Sequence, residues 1–303
     1  MSKPYKGDWV LRTVLFVPGH INKMLIKGAV SDADCVILDL EDAVPSDKKG
    51  MARKKVREIL EKDVYSRKTV FVRVNPFKTN QTIKDIEEVS CKNLNGFVYP
   101  SVNTSDELKE FDSYLQDIEK KLSRSIGNFS LIALIESPLA IVNIDQIAKA
   151  SERMVGLIFG CEDYLAELCG RHSIDEVSLN VPRAQVAIAA RAVGIEPIDT
   201  PYINIYDFDG LRKFAEIGRN LGMSGMCAIT PRQIPIIQEI YTPTQKEINT
   251  AKEIIEAATE SQSAGKGIAI VNKKFIAPPI VKSALKVLKQ IKAIHNLEEF
   301  NNS

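Results

Sequence analysis

Eight short, β-branched apolar runs recur along the chain, each followed by a polar or Pro/Gly break and then by a stretch with helical periodicity. The runs are LRTVLFV (11–17), CVILDL (35–40), TVFVRV (69–74), GFVYP (96–100), SLIALIE (130–136), MVGLIFG (154–160), a weaker EPIDTPYI (196–203) and GMCAIT (225–230). Most are hydrophobic almost without interruption. A strand with one wet face would alternate, so continuous runs require burial on both faces, which means a parallel sheet covered by helices. The intervening segments agree. KKGMARKKVREILEK and RAQVAIAARAVG carry apolar residues at helical spacing, and Gly194 stands where the second needs a C-terminal cap. Eight βα units in a row close most economically into an α/β fold of the (β/α)8 TIM-barrel type. An open doubly wound sheet is the alternative, but no glycine-rich phosphate fingerprint follows the first run.

The barrel accounts for residues 1–240 of the 303. Residues 241–303 form a C-terminal helical extension: TPTQKEINTAKEIIEAATES and PPIVKSALKVLKQIKAIH read as helices, and GKGIAIVNKKFIAPP between them as a short hairpin. A closed barrel does not need these residues, so the extension is expected to cap the barrel or pack on a neighbouring subunit. The second helix has an apolar stripe that predicts a homo-oligomer.

The net charge of +1, with Lys and Arg spread along the chain, argues against nucleic acid or an anionic membrane surface as partner. No apolar stretch is long enough to span a bilayer, and MSKPYKGDWV lacks the apolar core of a signal peptide. The five cysteines (Cys35, Cys91, Cys161, Cys169 and Cys227) are odd in number and scattered, and read as reduced thiols of a cytoplasmic protein.

In a barrel the carboxyl ends of the strands form the active face. Here strand two ends at Asp39-Leu40-Glu41-Asp42, strand five at Glu136-Ser137-Pro138 and strand six at Gly160-Cys161-Glu162-Asp163. Strand three contains Arg73 and ends in Asn75-Pro76, and strand eight ends at Thr230-Pro231-Arg232. Carboxylates converging in a partly buried mouth repel each other unless a positive group joins them. A hard divalent cation such as Mg²⁺ meets that need with one or two carboxylates, waters and substrate oxygens. Glu136 and Asp163, one βα unit apart, are the expected metal ligands, with Glu136 also facing substrate. His20, His172 and His295 are not expected to cluster with these acids, which argues against zinc. The bland alternative is that each acid pairs with a basic residue or caps a helix. Arg73, in a buried strand, must be paired; it either salt-bridges Glu41 or Asp42, or binds substrate oxygens and steadies developing charge. We read it as functional. Arg12, near the start of strand one, is a substrate-binding candidate with a structural pairing as the alternative.

At these residues the chain resembles the citrate lyase beta-subunit-like family, within the larger group of HpcH/HpaI-type aldolases and malyl-CoA lyases. The matching segments are LRTVLFVPG, CVILDLEDAV, VFVRVN, LIALIES, GLIFGCEDYLAEL, AARAVGIEPIDTPYIN and IVNKKFIAPPIV, in the family's order over nearly the whole chain. The resemblance implies a Mg²⁺-dependent barrel, homotrimeric or homohexameric, that cleaves or forms citryl-, malyl- or citramalyl-type thioesters. It makes Arg73 the substrate-binding arginine and Glu136 and Asp163 the metal ligands. It also gives Glu41 and Asp42 a catalytic part, holding metal-bound waters.

The chain departs from the family at three places. Gly225-Met226 and Ile229-Thr230-Pro231 replace a common Gly-Lys and Ile-His-Pro. Ala277 stands where the tail motif of similar enzymes has an aspartate that serves a neighbouring subunit as acid/base group. The loop GHINKM lacks an arginine often found there. The expected function is therefore a metal-dependent carbon–carbon lyase for a 3-hydroxycarboxylate or its CoA thioester. The alternatives are an aldolase acting on a free 2-oxo acid and a metal- and carboxylate-binding paralogue without turnover. Should Ala277 be compensated, Tyr241 or Asn272 are the candidates to transfer the proton.

Overall fold

The computed structural model describes residues 8–173, 176–263, 269–271 and 274–302. Its eight parallel strands are β1 (Thr13–Pro18), β2 (Cys35–Asp39), β3 (Thr69–Arg73), β4 (Gly96–Tyr99), β5 (Ser130–Ile135), β6 (Met154–Phe159), β7 (Glu196–Asp199) and β8 (Gly225–Ala228). They pair in sequence order, and β1 closes on β8 through the register Thr13↔Met226 to Leu15↔Ala228. The barrel is the one the continuous runs predict. Each strand falls within a run or within a residue of its end, and the weak seventh run shortens to four residues ahead of Pro201.

Two apolar layers follow from the two faces of each strand. Val14, Ile37, Phe71, Val98, Ile132, Leu134, Ile158 and Ile198 point inward and fill the barrel, with Trp9 edge-on to Phe71 at 5.5 Å. Their neighbours in sequence point outward against the helices, where Val36, Leu38, Val70, Val72, Leu131 and Leu157 are all buried. In the helix Lys49–Glu61 the buried residues Ala52, Val56, Ile59 and Leu60 make one stripe. The helix Val177–Val193 ends at Gly194, whose φ of 74° is the left-handed turn expected of a C-terminal cap.

The chain divides into two compact units, Met1–Tyr241 and Thr242–Ser303. Within the second, helices Gln245–Ser263 and Pro278–Asn302 pack together, and β9 (Ala269–Val271) and β10 (Lys274–Ile276) form the antiparallel hairpin. No helix among the described residues is long and apolar enough to cross a membrane.

Candidate active site

The inward faces that carry Ile37, Phe71 and Leu134 reach, two residues later, Asp39, Arg73 and Glu136. Period-two alternation therefore turns a hydrophobic interior into a polar mouth at the carboxyl ends of β2, β3 and β5. Asp39 lies level with Arg73 in the β2–β3 register. Arg73 Nε donates to Asp39 Oδ1 at 2.7 Å and Nη2 to Oδ2 at 2.6 Å, a bidentate fork. Backbone N–H groups of Glu41 and Ala43 donate to the same carboxylate at 2.9 and 3.2 Å. Arg73 Nη1 is 2.9 Å from Glu41 Oε2 and 3.8 Å from Asp42 Oδ2, and the guanidinium lies 5.0 Å from the centre of the Phe16 ring. Among the described residues these short contacts engage three of the five N–H donors of Arg73.

Glu136 is held by Ser101, the second residue beyond β4. The Ser101 N–H donates to Glu136 Oε1 at 2.6 Å and its Oγ at 2.9 Å. Ser101 has a φ of 49°, a costly conformation for a non-glycine residue that aims both donors at one oxygen. The other oxygen lies over Gly160. A Cβ there would meet Glu136 Cβ at 2.8 Å and Oε2 at 3.0 Å, so the residue after β6 has to be glycine. We expect Gly160→Ala to shift the carboxylate at an overpacking cost of about 1–3 kcal/mol, weakening Mg²⁺ affinity roughly tenfold. Calorimetric titration would check this, and an unchanged affinity would mean that the carboxylate is not the ligand.

Glu41, Asp42, Glu136 and Asp163 line one cavity of about 690 Å³, together with Ser46, Lys49, Asn75, Lys78, Gln81, Ser101, Asn103 and Glu167. Asp163 enters it from the first turn of the helix Cys161–Leu168. Arg73 is buried just behind Glu41 and does not itself line that cavity. Asn75 is fixed by Asp85, whose Oδ2 accepts from the Asn75 N–H at 2.8 Å and from Nδ2 at 2.7 Å.

Burial raises the Glu136 carboxyl to about 7; Arg73 and the Ser101 bonds oppose the shift and the charge of Asp163 adds to it. Burial likewise lifts Glu41 well above the usual carboxylate range, Arg73 opposes it, and Asp42 and Glu136 push it further. An ensemble of hard oxygen donors whose charges disfavour each other fits a divalent cation such as Mg²⁺.

The same shift fixes the sign of a pH effect. Without metal, folded Glu136 keeps its proton to about pH 7, whereas the unfolded chain loses it near 4.5. That contribution is fully present below the unfolded value and is lost as pH rises through about 7. Metal-free wild type should therefore lose more stability than Glu136→Gln between pH 5 and 8, and saturating Mg²⁺ should remove the difference. Thermal melts of both proteins across this range check the expectation.

Two sequence expectations need correction. Arg12 precedes β1 and so sits at the amino end of the barrel, opposite the mouth. Its Nε and Nη2 fork onto the Asp34 carboxylate at 2.9 and 2.8 Å, a buried structural pair rather than a substrate contact. His172 meets Glu162, the neighbour of Asp163 in sequence, with its Nε2 3.0 Å from Glu162 Oε1, rather than the expected metal ligands. Tyr241 is buried on the outer side of the barrel, its hydroxyl near Gly218, which removes it from the mouth. Asn272 lies outside the described residues.

Sequence reasoning did not single out Ser101 or the part played by Asp39. Counting in twos from Ile37 is the signal that finds Asp39. Ser101 had only its place after the fourth apolar run.

Residues 12–231 match the model of the HpcH/HpaI aldolase/citrate lyase family. The citrate lyase subunit beta of Haemophilus influenzae is 36% identical over 282 residues, which cover 93% of this chain and 97% of that protein. The (3S)-malyl-CoA thioesterase of Cereibacter sphaeroides is 31% identical over 283 residues, covering 93% of this chain and 95% of its own. Among solved structures, the citrate lyase beta subunit of M. tuberculosis complexed with oxaloacetate and magnesium superposes with a TM-score of 0.65 at 27% identity. That match covers 77% of this chain and 97% of the other. A strand-for-strand barrel, a mouth of converging carboxylates and a match over most of the length all agree, and the chain belongs to the HpcH/HpaI aldolase/citrate lyase family.

Proposed function

We propose that this protein is a Mg²⁺-dependent carbon–carbon lyase that acts on a 3-hydroxycarboxylate or its CoA thioester. The observation that carries the reading is the convergence of Glu41, Glu136 and Asp163 on one cavity with Arg73 directly behind them. Relatives named citrate lyase subunit beta and malyl-CoA thioesterase, and a neighbour holding oxaloacetate and magnesium, support the substrate class. Glu136 and Asp163 would hold the ion, which when bound supplies Lewis-acid polarisation of substrate oxygens.

The chain's own groups do the rest. Arg73, fixed in place by Asp39 and 2.9 Å behind Glu41, would offset the charge that develops as the bond breaks, and would reach a substrate carboxylate where that group takes the place of the Glu41 contact. Breaking the bond beside a 3-hydroxyl requires that hydroxyl's proton to leave. Glu41, whose burial lets it hold a proton near neutral pH, is the carboxylate at the mouth suited to accept and return it. Asp42, with its side chain 71% exposed, faces solvent at the rim and orders water there.

The five free cysteines support a cytoplasmic setting. Exposed Phe275, Ile280 and Leu285 in the second unit support a homotrimer or homohexamer built through it; light scattering that finds a monomer at micromolar concentration counts against that. Ala277 favours a second reading, an aldolase for free 2-oxo acids.

One experiment separates the two. Turnover with and without Mg²⁺ is measured on malyl-, citramalyl- and citryl-CoA and on free 2-oxo acids, as release of acetyl-CoA or pyruvate. Metal-dependent cleavage of a thioester supports the first reading, cleavage of free acids alone the second, and no metal-dependent turnover on either sinks both.

A further inference from the structure

Beside the acidic mouth, on another face of the same helix, lies a second cluster of different chemistry. Glu162 and Asp163 are consecutive, so their side chains leave the helix Cys161–Leu168 about 100° apart. Asp163 lines the cavity, while Glu162 turns toward His172. Cys161 Sγ is 3.4 Å from Glu162 Oε1, and Glu162 Oε1 is 3.0 Å from His172 Nε2. All three ligand atoms lie within 4.8 Å of one another.

Those separations approach the edges of a zinc tetrahedron. Bonds of about 2.3 Å to sulfur and about 2.0–2.1 Å to nitrogen and oxygen put S···O near 3.5 Å and O···N near 3.3 Å (about, by the tetrahedral angle). The third edge, up to 4.8 Å here against about 3.5 Å in the tetrahedron, closes with at most about 1.3 Å of movement at a half-exposed imidazole. The other ring nitrogen is also engaged: His172 Nδ1 lies 3.1 and 3.2 Å from the two oxygens of Glu176. A carboxylate behind a histidine fixes the ring and its tautomer and directs the far nitrogen outward, as it does at zinc sites. Glu162 and His172 are exposed, so the fourth position opens to solvent.

We infer that Cys161, Glu162 and His172 form a site for a borderline-soft divalent cation of the zinc class, with Glu176 orienting the histidine. A thiolate and an imidazole select such an ion over Mg²⁺, which prefers oxygen alone. Binding replaces the Cys161 thiol proton by the metal and releases that proton. Occupancy ties the loop that carries His172 to the first turn of the helix that carries Asp163. The inference does not depend on the lyase reading, because none of its ligands is assigned to the acidic mouth.

The test uses tag-free full-length protein carrying Cys169→Ser, which removes the exposed thiol, in excess Mg²⁺ to occupy the carboxylates. Co²⁺ serves as the spectroscopic probe and Zn²⁺ as competitor. The expected result is one equivalent of Co²⁺ with a thiolate-to-cobalt charge-transfer band, displaced by Zn²⁺. Cys161→Ser should abolish the band. Because that buried change can also disturb folding, His172→Ala provides the independent arm and should weaken binding by about tenfold or more, and Glu176→Gln by roughly 10–100-fold. Absence of the band, or Co²⁺ affinity unchanged in His172→Ala, overturns the inference and leaves His172 as a bridge between two glutamates.

Discussion

Mg²⁺ is expected to raise the Tm of the wild-type protein, and replacing Glu136 by Gln or Asp163 by Asn is expected to abolish that rise while both metal-free variants stay folded. The apo protein loses little because the two acids oppose each other's charge. In Glu136→Gln the amide oxygen still accepts from the Ser101 N–H and Oγ, so the loop beyond β4 keeps its anchor. Turnover should fall far more than stability. Lewis-acid stabilisation is worth several kcal/mol, and each ~1.4 kcal/mol is tenfold in rate, so a loss of roughly 10²–10³ is expected. Isothermal titration is the direct check. If both variants bind Mg²⁺ as tightly as wild type, the ligand assignment is wrong whatever their activity.

Ala277→Asp should act in the opposite direction, raising thioester-dependent turnover by a factor on the order of 10²–10⁴ while leaving Mg²⁺ affinity unchanged. The resemblance to this family implies an aspartate at this point of the tail as the proton-transfer group, and alanine cannot transfer a proton. Pro278 and Pro279 open the following helix with fixed φ, so the backbone that would aim the new carboxylate is already stiff. The measurement is acetyl-CoA or pyruvate release from malyl- or citramalyl-CoA, for wild type and variant side by side. Wild type cleaving either thioester at ordinary enzyme rates would show that another group has replaced the aspartate, and the expected gain would vanish.

The barrel was legible because burial on both faces forbids polar residues through most of each strand, leaving runs such as CVILD and MVGLIF that no other element explains. The mouth was legible for the converse reason, since acids at the ends of such runs need a purpose. What the sequence hid was direction and pairing. Arg12 and Arg73 look alike as arginines embedded in apolar runs, yet one precedes its strand and the other ends it, which places them at opposite ends of the barrel. Their partners follow the same rule, with Asp34 just before β2 and Asp39 at its end. Ser101 was hidden differently. Its importance lies in a left-handed backbone turn that no residue pattern announces, because serine gives no local reason to adopt it. His172 and Glu162 are ten residues apart across a loop, and only the fold brings them within 3.0 Å.

Asp39, Arg73 and Glu136 stand on or directly after strands braced by ladder bonds, whereas Ser46, Lys78, Gln81 and Glu167 reach the cavity from the segments beyond. In the proposed mechanism the inward column on the strands is thus distinct from most of the rim, while Glu41 and Asp163 come from the segments that follow their strands. Drift in the rim can alter which acid is admitted without passing through a form that has lost its floor, so neighbouring substrate ranges are connected by functional intermediates. For an engineer the same division defines the library: randomise Ser46, Lys78, Gln81 and Glu167, leave the inward column, Glu41 and Asp163 untouched, and every member keeps the proposed metal ligands and proton carrier.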